Sequence, residues 1–224
     1  TEEMGTGQVI SALLKGLERG KKDFGVEYNV ITCAMRHHSE EENYQMIRTA
    51  REFLGKGVCA ADLAGAEAVY PMSDFMSLFK WVKELGMPFT LHAGECGNVQ
   101  NILDSVEAGA GRIGHGIAMR GHADVQKELQ KKGIGIEMCP ISNLQTKAVG
   151  STKDYPMREF LNARLKVTVN TDNRTVSNTI LTKELEFIQK TYGITDEEIH
   201  LMMRNAVDVA FADDAVKERM LKYV

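Results

Sequence analysis

Apolar residues recur along this chain in two alternating patterns. Short β-rich runs occupy residues 26–35, 58–63, 88–92, 112–114, 134–139 and 167–170. They are continuously apolar rather than alternating, as strands buried on both faces are. Between them stand stretches with helical spacing at 40–54, 73–85, 99–108, 123–132 and 157–163, and another at 8–22 precedes the first strand. In one of these, Phe75, Leu78, Phe79, Val82 and Leu85 recur at intervals of three and four, which places them on one helix face. Gly57, Gly86 and Gly133 stand where a helix hands over to a strand and serve as helix stops. After the last strand, residues 177–192, 196–208 and 212–222 read as helices. Thr195 is placed to cap the second of them, and Asp196, Glu197 and Glu198 suit the positive end of its dipole. This helical tail is expected to pack against the sheet and to carry no chemistry.

Strand and helix alternating in this way predict a parallel sheet covered by helices, in one α/β domain over residues 1–224. An open doubly wound sheet and a TIM-type (β/α)8 barrel both satisfy the pattern. The polar residues favour the barrel. His92, Glu95, His115, Ser142, Asn143 and Asp172 fall at or just past the C-terminal ends of different strands, where a barrel places its chemistry. No GxGxxG or GxxxxGK[ST] phosphate loop supports the alternative. A full barrel needs eight strands, so the expected architecture is about six strand–helix units of a barrel plus C-terminal helices.

Composition narrows the function classes. The 224 residues carry a formal charge of -4, with 43% hydrophobic and 26% charged residues, as in an ordinary soluble protein. Basic residues cluster at 15–22 and at Lys127, Lys131 and Lys132, but on helix-like stretches whose solvated faces explain them. Neither nucleic acid nor a membrane is an expected partner. No apolar run reaches the roughly 18–20 residues of a membrane span, and the polar, acidic first ten residues do not resemble a signal peptide. Cys33, Cys59, Cys96 and Cys139 are far apart and include no CxxC pair. That usage suits reduced thiols, and a cytoplasmic location is expected.

The candidate chemistry lies at the strand ends. His92 closes the run Thr90-Leu91-His92, and Ala93-Gly94 lets the backbone turn so that Glu95 returns over the same centre. A histidine there suits a metal, and a carboxylate beside a metal-activated water can move protons. Taken singly, such a histidine is more often a satisfied core residue. His115, between Gly114 and Gly116, ends the next strand, and two histidines on successive strand ends are harder to assign to packing. Asp172 ends the last strand as a carboxylate ligand candidate, with an Asx turn or helix cap as its ordinary alternative. His37 and His38 point to opposite faces and are expected to be structural, with Arg36 orienting a neighbouring carboxylate. His122 and His200 sit in helix-like surface contexts and Cys96 has no evident base, so none of the three is given a catalytic role.

Six segments in order, Met35-Arg36-His37, Asp62-Leu63-Ala64-Gly65, His92-Ala93-Gly94-Glu95, Arg112-Ile113-Gly114-His115-Gly116, Cys139-Pro140-Ile141-Ser142-Asn143 and Asn170-Thr171-Asp172, resemble the strand-end motifs of the adenosine deaminase family, bacterial type. The resemblance covers essentially the whole chain. It implies zinc-dependent hydrolysis of adenosine and 2'-deoxyadenosine to inosine and 2'-deoxyinosine plus ammonia, in purine salvage. By motif, His92 and Asp172 would be zinc ligands, and Glu95 would protonate the purine N1. His115 would take a proton from the attacking water and steady the resulting hydroxide, and Gly65 would offer its N–H to the purine N3. Asn173 stands where the family has a second Asp that contacts N7; its amide can donate that bond without being protonated.

The family's His-x-His ligand pair is not found in these residues, and the resemblance places Thr1 after the family's second strand. Only two zinc donors are then in hand, so weak zinc binding and little activity are expected of residues 1–224 alone. A separate chain carrying the N-terminal segment is a candidate partner. Two other functions are compatible with the motifs: an adenine or modified-adenine deaminase, and a non-catalytic fragment that requires a complementary chain.

Overall fold

The structure, a computed structural model, describes residues 4–96 and 98–224. Six strands run β1 (Val30–Met35), β2 (Val58–Ala64), β3 (Thr90–Ala93), β4 (Arg112–His115), β5 (Gly135–Met138) and β6 (Lys166–Val169). Helix α1 (Thr6–Phe24) precedes them, and α2 (Glu40–Arg51), α3 (Met76–Glu84), α4 (Val99–Ala108) and α5 (Ala123–Lys132) each follow one strand. Two helices, α6 (Pro140–Gln145) and α7 (Met157–Asn162), separate β5 from β6. The tail holds α8 (Arg174–Ser177), α9 (Leu181–Tyr192), α10 (Asp196–Asp208) and α11 (Asp214–Met220).

All pairings are parallel and follow chain order, β1 with β2 and then β3-β4-β5-β6. An isolated parallel bridge, Ala61 to Phe89, joins the two sets. The result is an arc of a TIM-type barrel, with β1 and β6 at its ends and helices outside. Leu63, Leu91, Ile113, Ile136 and Val167, one from each of five successive strands, are fully buried. Because every strand runs the same way, Met35, Ala64, Ala93, His115, Met138 and Val169 end on one rim. No helix among the described residues is long and apolar enough to cross a membrane.

Local chemistry sets the boundaries. Ser39 and Glu42 form a reciprocal capping box on α2, and Thr195 with Glu198 does the same on α10. Gly133 ends α5 with a left-handed φ of 67°, as its position predicts. Several expected elements are revised. The first strand begins at Val30 rather than 26, because its partner β2 starts at Val58, opposite Val30, and offers residues 26–29 no ladder. The 73–85 stretch divides into a 3-10 turn (Met72–Phe75) followed by α3. The 177–192 stretch is broken, because Asn178 turns left-handed at φ 49° and Ile180 is extended before α9 begins. Helix α6 was not anticipated; its six residues, opened by Pro140, are too short to show a helical period.

The tail also does more than pack. Glu184 of α9 is fully buried, and its Oε2 accepts the Ile141 N–H at 3.1 Å at the start of α6. A residue of the C-terminal tail thus steadies the short helix that carries Ser142 and Asn143.

Candidate active site at the strand ends

Four consecutive strands deliver the site. His92 is the third residue of β3, and its imidazole Nδ1 lies 2.9 and 3.1 Å from the two carboxylate oxygens of Asp62, on neighbouring β2. That contact fixes the ring and leaves Nε2 as its free donor atom. Burial opposes protonation of the ring, but the hydrogen bond to Asp62 and its charge outweigh burial, and the His92 pKa is pushed up to about 9. A carboxylate on the far nitrogen is the usual arrangement for a metal-ligating histidine, whose orientation and basicity it sets.

His115 ends β4, is buried, and has a left-handed backbone at φ 65°. Its ring centre lies 5.0 Å from that of His92. Asn143 of α6 is also buried, and its Nδ2 sits 2.9 Å from His115 Nδ1 and 3.3 Å from Glu95 Oε1. The Asn143 NH2 group donates to Glu95 Oε1, and the same group meets His115 Nδ1 as an acceptor. With Nδ1 accepting, the ring carries a proton on Nε2, which stands 3.8 Å from Glu95 Oε2. Thr146 donates to Glu95 Oε1 at 3.2 Å. Asp172 lies in the turn after β6 with φ 53° and receives the Ser142 hydroxyl on Oδ2 at 2.6 Å. Two candidate site residues therefore hold left-handed backbones without being glycine, a form of strain that collects at functional sites.

The other candidates separate. Gly65 follows β2 at φ 113°, a conformation suited to glycine, on the same rim. Asn173 spends its Oδ1 on capping α8 through the Val176 N–H at 3.0 Å, which leaves its NH2 group as the remaining polar function. Arg36 does not hydrogen-bond a carboxylate as expected. It is buried and donates to the carbonyl of Tyr70, in the loop after β2, at 2.5 Å and to that of His92, in β3, at 2.8 Å. His37 and His38 lie exposed and edge-to-face at 4.7 Å, outside this cluster. Cys96 is exposed and, like the other three cysteines, unpaired. Sequence reasoning missed Asp62 as the partner of His92 and Thr146 as a donor to Glu95. Asp62 could have been flagged, since a carboxylate inside an otherwise apolar strand requires a partner.

The adenosine deaminase family model matches residues 1–224. The chain belongs to the adenosine deaminase family. It is 41% identical to the adenosine deaminase of Enterococcus faecalis over 204 residues, which is 91% of this chain and 60% of that protein. The chain thus spans about 60% of that curated relative's length. Among solved structures, an adenine deaminase from Arthrobacter aurescens matches with a TM-score of 0.87 at 27% identity, over 96% of this chain and 66% of its own. An amidohydrolase from Burkholderia ambifaria, solved with bound Zn, shares the fold at a TM-score of 0.90 and 22% identity, covering 96% of this chain and 61% of its own.

Whether zinc suits this family member depends on its donors. His92 offers a free Nε2 on an oriented ring, and Asp172 keeps an oxygen beyond the one bound to Ser142. Nitrogen and carboxylate oxygen are both zinc donors, so the residues fit the metal as part of a shell. Among the described residues no group of three or more His, Cys, Asp or Glu is arranged around one point.

Gly94 turns β3 toward Glu95 at φ 73°, and a Cβ there would stand 2.4 Å from Ile102 Cδ1. Gly94→Ala is therefore expected to destabilise the protein by about 2 kcal/mol or more, from left-handed strain and overpacking together. Urea unfolding measures it, and a midpoint equal to that of the unaltered protein would contradict it.

Proposed function

We propose that the protein hydrolyses the C6 amino group of adenosine and 2'-deoxyadenosine, giving inosine or 2'-deoxyinosine and ammonia in purine salvage. The observation that carries this proposal is the convergence on one strand-end rim of Glu95, His115 and Asn143 with the Asp62-held His92 and with Asp172. Family membership supplies the reaction class.

In this proposal His92 and Asp172 would hold zinc. When bound, zinc supplies a Lewis acid that brings the pKa of the attacking water toward neutrality. The chain's own groups do the rest. Glu95, in its protonated form, gives its proton to the purine N1, and this draws electron density from C6 and opens it to attack. His115 presents its Nε2 proton to the attacking oxygen, an orientation that Asn143 sets and that serves the steadying part of its expected role. The attacking water gives up two protons as its oxygen becomes the C6 carbonyl: one restores the Glu95 carboxyl group, and the other joins the amino group, which leaves as ammonia when the C6–N bond breaks. Gly65 offers its N–H to N3, and the Asn173 NH2 group donates to N7 at any pH, because an amide needs no proton to do so.

Two donors are fewer than the three protein ligands usual for catalytic zinc. Residues 1–224 alone are therefore expected to retain well under one zinc per chain after dialysis, with little turnover; a full equivalent of zinc with full activity would contradict this.

The resemblance to the Arthrobacter aurescens adenine deaminase gives a second reading, with the free base as substrate. Mass spectrometry of a mixture of adenosine, adenine and N6-methyl-AMP incubated with the complete gene product decides between them. Inosine as the main product supports the proposal, and hypoxanthine formed without inosine overturns it.

A further inference from the structure

Glu67 lies just past the end of β2 and is 4% exposed. Among the described residues its carboxylate has no cationic hydrogen-bond partner and receives four neutral donors. Oε1 accepts the Gly94 N–H at 2.6 Å and the Asn101 side-chain amide at 2.8 Å. Oε2 accepts the N–H groups of Glu95 at 2.9 Å and Cys96 at 3.2 Å. Three consecutive amides of the turn after β3 thus point at one buried carboxylate. On its carbonyl side the same turn is held by Arg36, which donates to His92 O at 2.8 Å. The Gly94 carbonyl is held in turn by the Ala118 N–H at 2.8 Å.

We propose that Glu67 is a positioning residue for Glu95. Its carboxylate gathers the amides of residues 94–96 and so fixes where the Glu95 side chain leaves the backbone. An ionised carboxylate suits this task because both of its oxygens only accept. A glutamine of the same shape would turn an NH2 group toward two of the four donors. Loop amides left to water would let the turn relax, and a shift of about 1 Å in a proton-transferring group can cost about 100-fold in rate. The structural half of the proposal stands by itself; its catalytic consequence rests on the deaminase function proposed above.

The first test reads the backbone. Hydrogen exchange in the unaltered protein is expected to show the amides of Gly94 and Glu95 protected although they lie in a turn. In Glu67→Gln, whose NH2 group faces one of the two, at least one of them should exchange about 10- to 100-fold faster, the loss expected of a hydrogen bond to a charged group, while α4 stays protected. Unprotected amides in the unaltered protein would overturn the proposal even if the variant failed to fold. So would unchanged exchange in the variant.

The second test reads catalysis in the complete gene product. Glu67→Gln should lower kcat for adenosine about 100-fold with KM within about twofold, and Glu67→Asp, which keeps the charge, should recover part of the loss. Equal losses in the two variants, or a rise in KM with kcat unchanged, would overturn it. If the unaltered protein formed no inosine, the deaminase proposal would fail, and the exchange result would still decide the role of Glu67.

Discussion

Glu95→Gln is expected to lower kcat for adenosine by about 1,000-fold, within the range that a general acid or base contributes. Gln keeps the shape and can still meet Thr146 and the rim around it, but it has no proton to give to a ring nitrogen at neutral pH. The unaltered Glu95 is anchored on Oε1 by Asn143 and Thr146, and its Oε2 faces His115. Oε2, which neither Asn143 nor Thr146 engages, is thus the oxygen free to carry and release the proton. Because N1 protonation matters mainly as the transition state forms, KM should change far less than kcat. Steady-state kinetics with the zinc content measured in parallel make the test, and a variant retaining more than about a tenth of the activity would remove Glu95 from this role.

The second large effect concerns the metal. His92→Ala is expected to leave the complete gene product without retained zinc, because it removes a proposed ligand and strands the buried Asp62 carboxylate. Asp62→Asn should be milder, weakening zinc binding by about 10- to 100-fold as the loss of an outer-shell partner does. An amide can still contact Nδ1, but it lacks the charge that raises the ring's basicity. Competition with a chromophoric chelator orders the three proteins. Equal affinities for the unaltered protein and Asp62→Asn would show that the contact does not serve a metal.

The frame of this fold was legible because its cause is local. Buried parallel strands must be continuously apolar, and each must be followed by a helix, so their number, order and polarity can be read from periodicity alone. His92, Glu95, His115 and Asp172 stood out because polar residues at the ends of such strands have no packing reason to be there. Less visible were residues whose meaning depends on distant partners. Glu67 sits in the unremarkable stretch Gly65-Ala66-Glu67-Ala68, and only the turn of β3 folded over it makes its carboxylate a hub. Asn143 was visible as a strand-end polar residue, but its bridging of His115 and Glu95 depends on α6, too short to announce itself. Arg36 was assigned to a carboxylate by charge, although it donates to the carbonyls of Tyr70, in the loop after β2, and His92, in β3. For Asn173 the helix-capping tendency that competes with function in any Asx residue is realised, and it leaves half of the amide for a substrate.

The most direct test of the site is an anomalous diffraction map at the zinc edge from crystals of the complete gene product. The expected result is one zinc within about 2.0–2.2 Å of His92 Nε2 and an Asp172 oxygen, with Glu95 and His115 facing the same opening. Zinc bound elsewhere while His92 and Asp172 stay uncoordinated would contradict the assignment.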